Sequence, residues 1–216
     1  MADAATLRAR MVERQLRRRG IEDERVLAAM AAVPREVFVP PRLADRAYAD
    51  SALPIAAEQT ISQPWIVAAI CEALRLQGGE RVLEVGTGSG YSAAVLSLLA
   101  AEVISVERHE QLTRQAAAAL AALGVDNVEL VVGDGSRGIP ERAPFEAIAV
   151  HAAAPAAPPP LLAQLAPGGR LVVPIVGAGD VEMLTQLRRD GERVEARAIA
   201  PCRFVPLLGE EGFEEA

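Results

Sequence analysis

Apolar residues recur at broadly helical spacing from Thr6 to about Val33, at Leu7, Met11, Leu16, Ile21, Val26, Leu27 and Met30, with Gly20 as a break. The pattern predicts two short helices. The stretch "VPREVFVPPRLADRAYADSALPI" at 33–55 is proline-rich, comparatively aromatic and without regular periodicity, and reads as an irregular cover. A helix is expected at about 64–76. After it the pattern changes to short β-rich runs: 81–85, 102–106, 128–132, 145–150 and 169–176. Helical patterns at 91–100 and 109–123 separate the earlier runs, and "APAAPPPLLAQL" at 154–165 reads as a proline-marked turn into a short helix. Alternation of strand and helix implies right-handed crossovers and a parallel sheet covered on both faces. Two further strands, 182–190 and 194–208, meet at the turn Asp190-Gly191, which predicts an antiparallel hairpin closing one edge. The fold class is therefore α/β, with a mostly parallel seven-stranded sheet, an antiparallel C-terminal edge and N-terminal helices.

At 216 residues with 51% hydrophobic content, the chain suits one filled core. A single domain is expected over 1–216, with about 1–78 as a helical cover and about 79–216 as the sheet and its terminal hairpin. The net charge of −7 argues against a nucleic-acid partner, which needs a concentrated basic surface. The basic run "LRRRG" at 16–20 reads as a solvated helix end. Cys71 and Cys202 lie in apolar segments without metal-ligand spacing, so two buried free thiols, no metal and a reducing compartment are expected. The opening "MADAATLRARMVERQL" is charged and periodic, and no apolar run is long enough to span a bilayer. A cytoplasmic protein without a membrane partner is the expectation, and a monomer is the simplest state.

The run "RVLEVGTGSGYSAAVLSLL" places Gly86, Gly88 and Gly90 between a strand and a helix. Glycine there lets the backbone turn sharply and approach a ligand. A dinucleotide fingerprint would need glycine where this chain has Tyr91, so a hydride-transfer cofactor is disfavoured. The spacing resembles motif I of Rossmann-like S-adenosylmethionine methyltransferases, with Glu84 at its acidic position and Thr87 and Ser89 between the glycines. Glu107, seventeen residues after Gly90 and followed by Arg108, ends the second strand, where a carboxylate suits the ribose hydroxyls. Asp134 and Gly135 end the third, in a place suited to the adenine amino group. Each has an ordinary reading too: turn glycines, a solvated cap at Glu107, a turn former at Asp134.

Beyond this loop, "QTISQP", "VPREVFVP", "ALPI", "NVELVVGDG", "APFEAIAVHAAAP", "LLAQLAPGGRLVVPI" and "RFVPLLG" resemble the protein-L-isoaspartate (D-aspartate) O-methyltransferase family from about Val26 to Gly209. The resemblance implies methyl transfer from S-adenosylmethionine to the free α-carboxylate of isoaspartyl and D-aspartyl residues in damaged proteins or peptides. Repair would follow through a succinimide, with S-adenosylhomocysteine as the other product. It also implies that Ser62 fixes the acceptor carboxylate, that Thr60, Ile61 and Gln63 line the methionine side of the cofactor, and that Arg203, Phe204, Val205 and Pro206 hold the peptide. Ser62 or Gln63, with Pro64 next, equally makes a helix start. The chain departs from the family in having Ala56-Ala57-Glu58 where glycines are common, Trp65 where histidine or tyrosine is common, and His151 where small residues or threonine are usual. His151 is read as an exposed or core-rim residue. An altered aspartyl acceptor, or a non-catalytic protein binding S-adenosylmethionine or peptide, are the alternative functions.

Overall fold

The computed structural model describes residues 3–191 and 193–214. Helix α1 (Ala4–Met11) begins at Asp3, whose side chain accepts the Thr6 amide, and continues through wider and tighter turns to Arg19. Gly20, at φ 89°, ends it. Helix α2 (Glu24–Ala32) starts where Asp23 accepts the Arg25 and Val26 amides. The two expected helices are present, and the basic run between them is exposed, with Arg17 paired to Glu24 and Arg19 to Asp50.

The proline-rich cover forms two 3₁₀ turns, Arg35–Phe38 and Pro41–Arg46, followed by a small hairpin of β1 (Leu53–Pro54) and β2 (Thr60–Ile61). The sequence carried no turn signal for this hairpin. Its turn is built from Ala57 and Glu58, both left-handed at φ 53° and 57°, with the Gln59 amide donating to Ala56 O at 3.1 Å. Helix α3 (Pro64–Leu74) follows and stops where Arg75 turns left-handed at φ 52°.

The remaining elements are β3 (Arg81–Val85), α4 (Tyr91–Ser97), β4 (Glu102–Glu107), α5 (Glu110–Ala122), β5 (Val128–Val132), β6 (Phe145–Val150), α6 (Pro159–Ala163), β7 (Leu165–Val176), β8 (Glu182–Asp190) and β9 (Arg193–Cys202). They form one seven-stranded sheet of order β5-β4-β3-β6-β7-β8-β9. The strands are parallel through β7, and β8 and β9 are antiparallel.

Alternation along the strands explains the layers. Val82, Val103, Ala147 and Val172 point into a core shared with α3 and α4, while Leu83, Ile104, Ile148 and Leu171 point into a second core on the other face. Strand order reverses between β3 and β6, and a ligand crevice is expected outside the carboxyl ends at that point.

The final strand is shorter than expected. Pairing ends at Glu182 opposite Cys202, because β8 has no residue left to pair. The chain then crosses the carboxyl edge of the sheet, where Ala153 N donates to Val205 O at 2.8 Å and Leu207 N to Ala153 O at 2.7 Å. Cys71 is buried as expected, whereas Cys202 is only half-buried because it lies on the edge strand; both are free thiols.

Candidate active site

A cleft of about 530 Å³ opens at the strand-order reversal. The glycine loop forms one wall. Gly86 donates its amide to Val106 O at 2.8 Å and lies so close to the end of β6 that a Cβ there would meet His151 Cβ at 3.4 Å. The Gly88 amide donates to Glu107 Oε2 at 2.9 Å, and the His109 amide to Oε1 at 3.0 Å. Glu107 is thereby clamped at the end of β4 with its carboxylate in the cleft wall.

Beneath the loop lies a buried polar chain. Thr87 Oγ1 meets Ser105 Oγ, and Ser105 donates to Glu84 Oε2. Glu84 is fully buried, and its Oε1 has no hydrogen-bond partner among the described residues. His151 Nε2 lies 3.3 Å from that oxygen but is engaged with Ser92 Oγ at 2.8 Å. His151 is thus a rim residue rather than an exposed one: the residue is of intermediate burial, its side chain is 7% exposed, and it lines the cleft. Ser92, the second residue of α4, bonds it there, and no local signal pairs residues this far apart in the chain.

The opposite wall comes from the segment ahead of α3 and from the strand-crossing tail. Thr60, Ile61 and Ser62 line it together with Val205 and Pro206. Gly86, Thr87, Gly88, Ser89, Glu107, Arg108 and Gly135 complete the set of expected residues that reach the cleft.

Six expected residues do not reach it. Gln63 turns outward, its Nε2 donating to Asp50 Oδ1 at 2.6 Å. Glu84 lies behind the loop, as described. Gly90 faces α5, where a Cβ would come within 3.0 Å of Ala116 Cβ, so its part is to let α4 and α5 approach. Asp134 is occupied as a cap: Oδ1 accepts from Ser136 N at 2.9 Å and Ser136 Oγ at 2.7 Å, and Oδ2 from Glu210 N at 2.9 Å. Burial raises its pKa, but these donors outweigh it and hold the carboxyl below the usual range. Arg203 is largely exposed, 4.0 Å from Glu182, and the Phe204 amide donates to the Glu182 carboxylate, which turns both away from the cleft.

A model of the protein-L-isoaspartate(D-aspartate) O-methyltransferase family matches residues 7–212. The chain belongs to this family. It is 54% identical to protein-L-isoaspartate O-methyltransferase 1 of Rhodopseudomonas palustris over 97% of this chain and 86% of that protein. It is 56% identical to the Methylorubrum populi enzyme of that name over 96% of this chain and 97% of that one. A solved protein-L-isoaspartate O-methyltransferase superposes with a TM-score of 0.84 at 30% identity, covering 95% of this chain and 67% of that one. A Plasmodium falciparum β-aspartate methyltransferase, solved with S-adenosyl-L-homocysteine, shares the fold with a TM-score of 0.81 at 24% identity, covering 96% of this chain and 99% of that one.

Where the chain departs from the family, the geometry is specific. Trp65 points away from the cleft, its indole N–H donating to Arg19 O at 3.2 Å with the Arg19 guanidinium 5.1 Å from the ring. Glu58 is exposed and lines the cleft mouth on the left-handed turn that glycines would form without strain. Gln63, not Ser62, is the N-cap residue of α3 and makes no side-chain cap bond, so the Ser62 hydroxyl is not used in starting the helix. It makes no hydrogen bond to another described residue and lines the cleft.

Arg35 is the residue that sequence reasoning missed most completely. It is fully buried, donating from Nε to Ala47 O at 2.8 Å and from Nη2 to Ser62 O at 2.7 Å, with its guanidinium 4.7 Å from the Tyr91 ring centre.

Proposed function

We propose that this cleft binds S-adenosylmethionine and directs its methyl group to the free α-carboxylate of isoaspartyl and D-aspartyl residues in damaged proteins or peptides. Methoxide leaves the methyl ester far more readily than oxide leaves a carboxylate, so attack of the following backbone amide nitrogen on the ester carbonyl expels methanol and closes a succinimide. Hydrolysis of the succinimide returns part of the material to normal aspartate without further catalysis. The observation that carries this reading is the convergence of Ser62 and the Gly88–Glu107 pair on one cleft at the carboxyl edge of the sheet.

The residues present suit the cofactor. Each oxygen of Glu107 accepts one amide and keeps a lone pair for a ribose hydroxyl. Val85, Val106 and Ile61 give the cleft apolar surface, and Gly135 sits at its edge for the base. When bound, the sulfonium supplies the electrophilic methyl group. A carboxylate acceptor, with an ordinary pKa of roughly 3 to 4, is already ionised at neutral pH, so the chain needs no general base. Its task is to place one carboxylate oxygen in line, at about 3 to 3.5 Å from the methyl carbon, and to exclude water. Ser62 Oγ donates the orienting hydrogen bond, while Val205 and Pro206 support the peptide backbone.

A cytoplasmic monomer is the accompanying reading. The two unpaired thiols fit a reducing compartment. None of the described helices is long and apolar enough to cross a membrane.

The function is tested by following an isoaspartyl peptide with the enzyme and S-adenosylmethionine by chromatography. Appearance of succinimide and normal aspartyl peptide, dependent on the enzyme, is expected. An unchanged peptide in the presence of a protein that binds S-adenosylhomocysteine contradicts the repair activity and leaves a binding role.

A further inference from the structure

The motif "VPREVFVP" contributes a cation that the cleft chemistry described so far does not use. Arg35 is fully buried, and no carboxylate pairs with it among the described residues. Its directed contacts are two backbone carbonyls and the Tyr91 ring face, and Nη1 has no hydrogen-bond partner among the described residues. Burial pushes its pKa down to about 10, with the Tyr91 hydroxyl opposing the shift, so the group stays charged at neutral pH. An unpaired buried charge is costly, and an apolar side chain would fill the same space without that cost. What an apolar side chain cannot do is hold three separate segments by directed contacts.

Those segments are the ones that bracket the transfer. Ala47 follows the turn Pro41–Arg46 in the cover. Ser62 carries the acceptor-orienting hydroxyl, and its carbonyl precedes the first helical acceptor, Gln63 O, so α3 makes no use of it. Tyr91 is the first residue of α4, directly after the glycine loop, and lines the cleft. One planar guanidinium therefore sets the Ser62 peptide plane against the helix that ends the cofactor loop. Lysine has the charge but not the fork or the stacking plane.

We propose that Arg35 is a positioning residue for methyl transfer, holding Ser62 in register with the cofactor loop through the Ser62 carbonyl and the Tyr91 ring. The inference rests on the cleft being the methyl-transfer site. It acts on the acceptor side: Arg35 touches neither substrate nor cofactor.

Arg35→Lys and Arg35→Met are compared with wild type by hydrogen exchange and by kinetics on an isoaspartyl peptide. Exchange of the amides over 59–63 is expected to rise in both variants while the sheet amides of β3 and β4 stay protected. The kcat/KM for the peptide is expected to fall about tenfold or more in the Met variant and less in the Lys variant, with S-adenosylhomocysteine affinity within about twofold of wild type. If the Met variant does not fold, the Lys variant carries the test alone. A double-mutant cycle adds specificity: the effect of Arg35→Lys should shrink in a Ser62→Ala background, because both changes act on one orientation. Exchange that rises uniformly through the sheet, or effects on kcat/KM that simply add, would overturn the proposal. A wild-type protein that methylates no isoaspartyl peptide defeats the proposed function instead, and the exchange result over 59–63 still decides whether Arg35 positions Ser62.

Discussion

The Gly88 amide and the Glu107 carboxylate, 2.9 Å apart, join the glycine loop after β3 to the end of β4. The pair fixes both the shape of the loop and the direction of the carboxylate, because the other oxygen is held by His109 N. Glu107→Ala is expected to weaken S-adenosylhomocysteine binding by about tenfold or more, through loss of a charge-assisted acceptor. Calorimetric titration checks this; undiminished affinity would place the nucleoside elsewhere.

Ser62→Ala should separate turnover from cofactor binding. The helix it precedes begins at Gln63, so the substitution is expected to cost about 1 kcal/mol or less in stability, at the low end of cap effects. Turnover should fall much more than cofactor affinity, as befits a hydroxyl acting on the acceptor. A clear loss of melting temperature with unchanged turnover would reduce Ser62 to a structural residue.

The turn at Ala57-Glu58 holds two consecutive non-glycine residues in the left-handed region. Glycine suits that conformation, so Glu58→Gly is expected to stabilise the fold by about 1 kcal/mol, less the extra entropy it gives the unfolded chain. The same change removes an exposed carboxylate from the cleft mouth. Peptides with acidic neighbours beside the isoaspartyl residue should gain in kcat/KM relative to neutral ones. Thermal melting and a small peptide panel check both parts.

Much of this fold was legible in the chain. Val82 and Leu83 sit in adjacent positions of one apolar run, and their alternation already implied two covered faces. The glycine loop was legible because its residues act locally, on the turn they form. Several of the other residues are directed at least in part by partners distant in sequence. Gln63 answers to Asp50, Asp134 to Glu210, and His151 to Ser92. Arg35 lies in a proline-rich cover, and nothing local announces that Ala47, Ser62 and Tyr91 close around it. The last strand, expected to run to 208, ends at Cys202 because its length is set by where β8 begins, at Glu182.

Asp134 gives a pH test of the tail. Its folded pKa lies below the ordinary value of 3.8, so the folded state binds the proton less readily than the unfolded state. The resulting stability is present above the unfolded value and is lost as pH falls through the folded one. Asp134→Asn should therefore be less stable than wild type at neutral pH, and the gap should narrow below about pH 4. Melting temperatures across pH 3 to 7 check the sign, and a gap that widens on acidification would contradict it. Hydrogen exchange should also rise at Glu210 N, which loses its carboxylate acceptor.

The most direct measurement is the transfer of labelled methyl from S-adenosylmethionine to two peptides that differ only in having an isoaspartyl or a normal aspartyl residue. Base-labile label on the isoaspartyl peptide alone is the predicted result. Label on both peptides, or on neither while S-adenosylhomocysteine still binds, would contradict an isoaspartyl-specific methyltransferase.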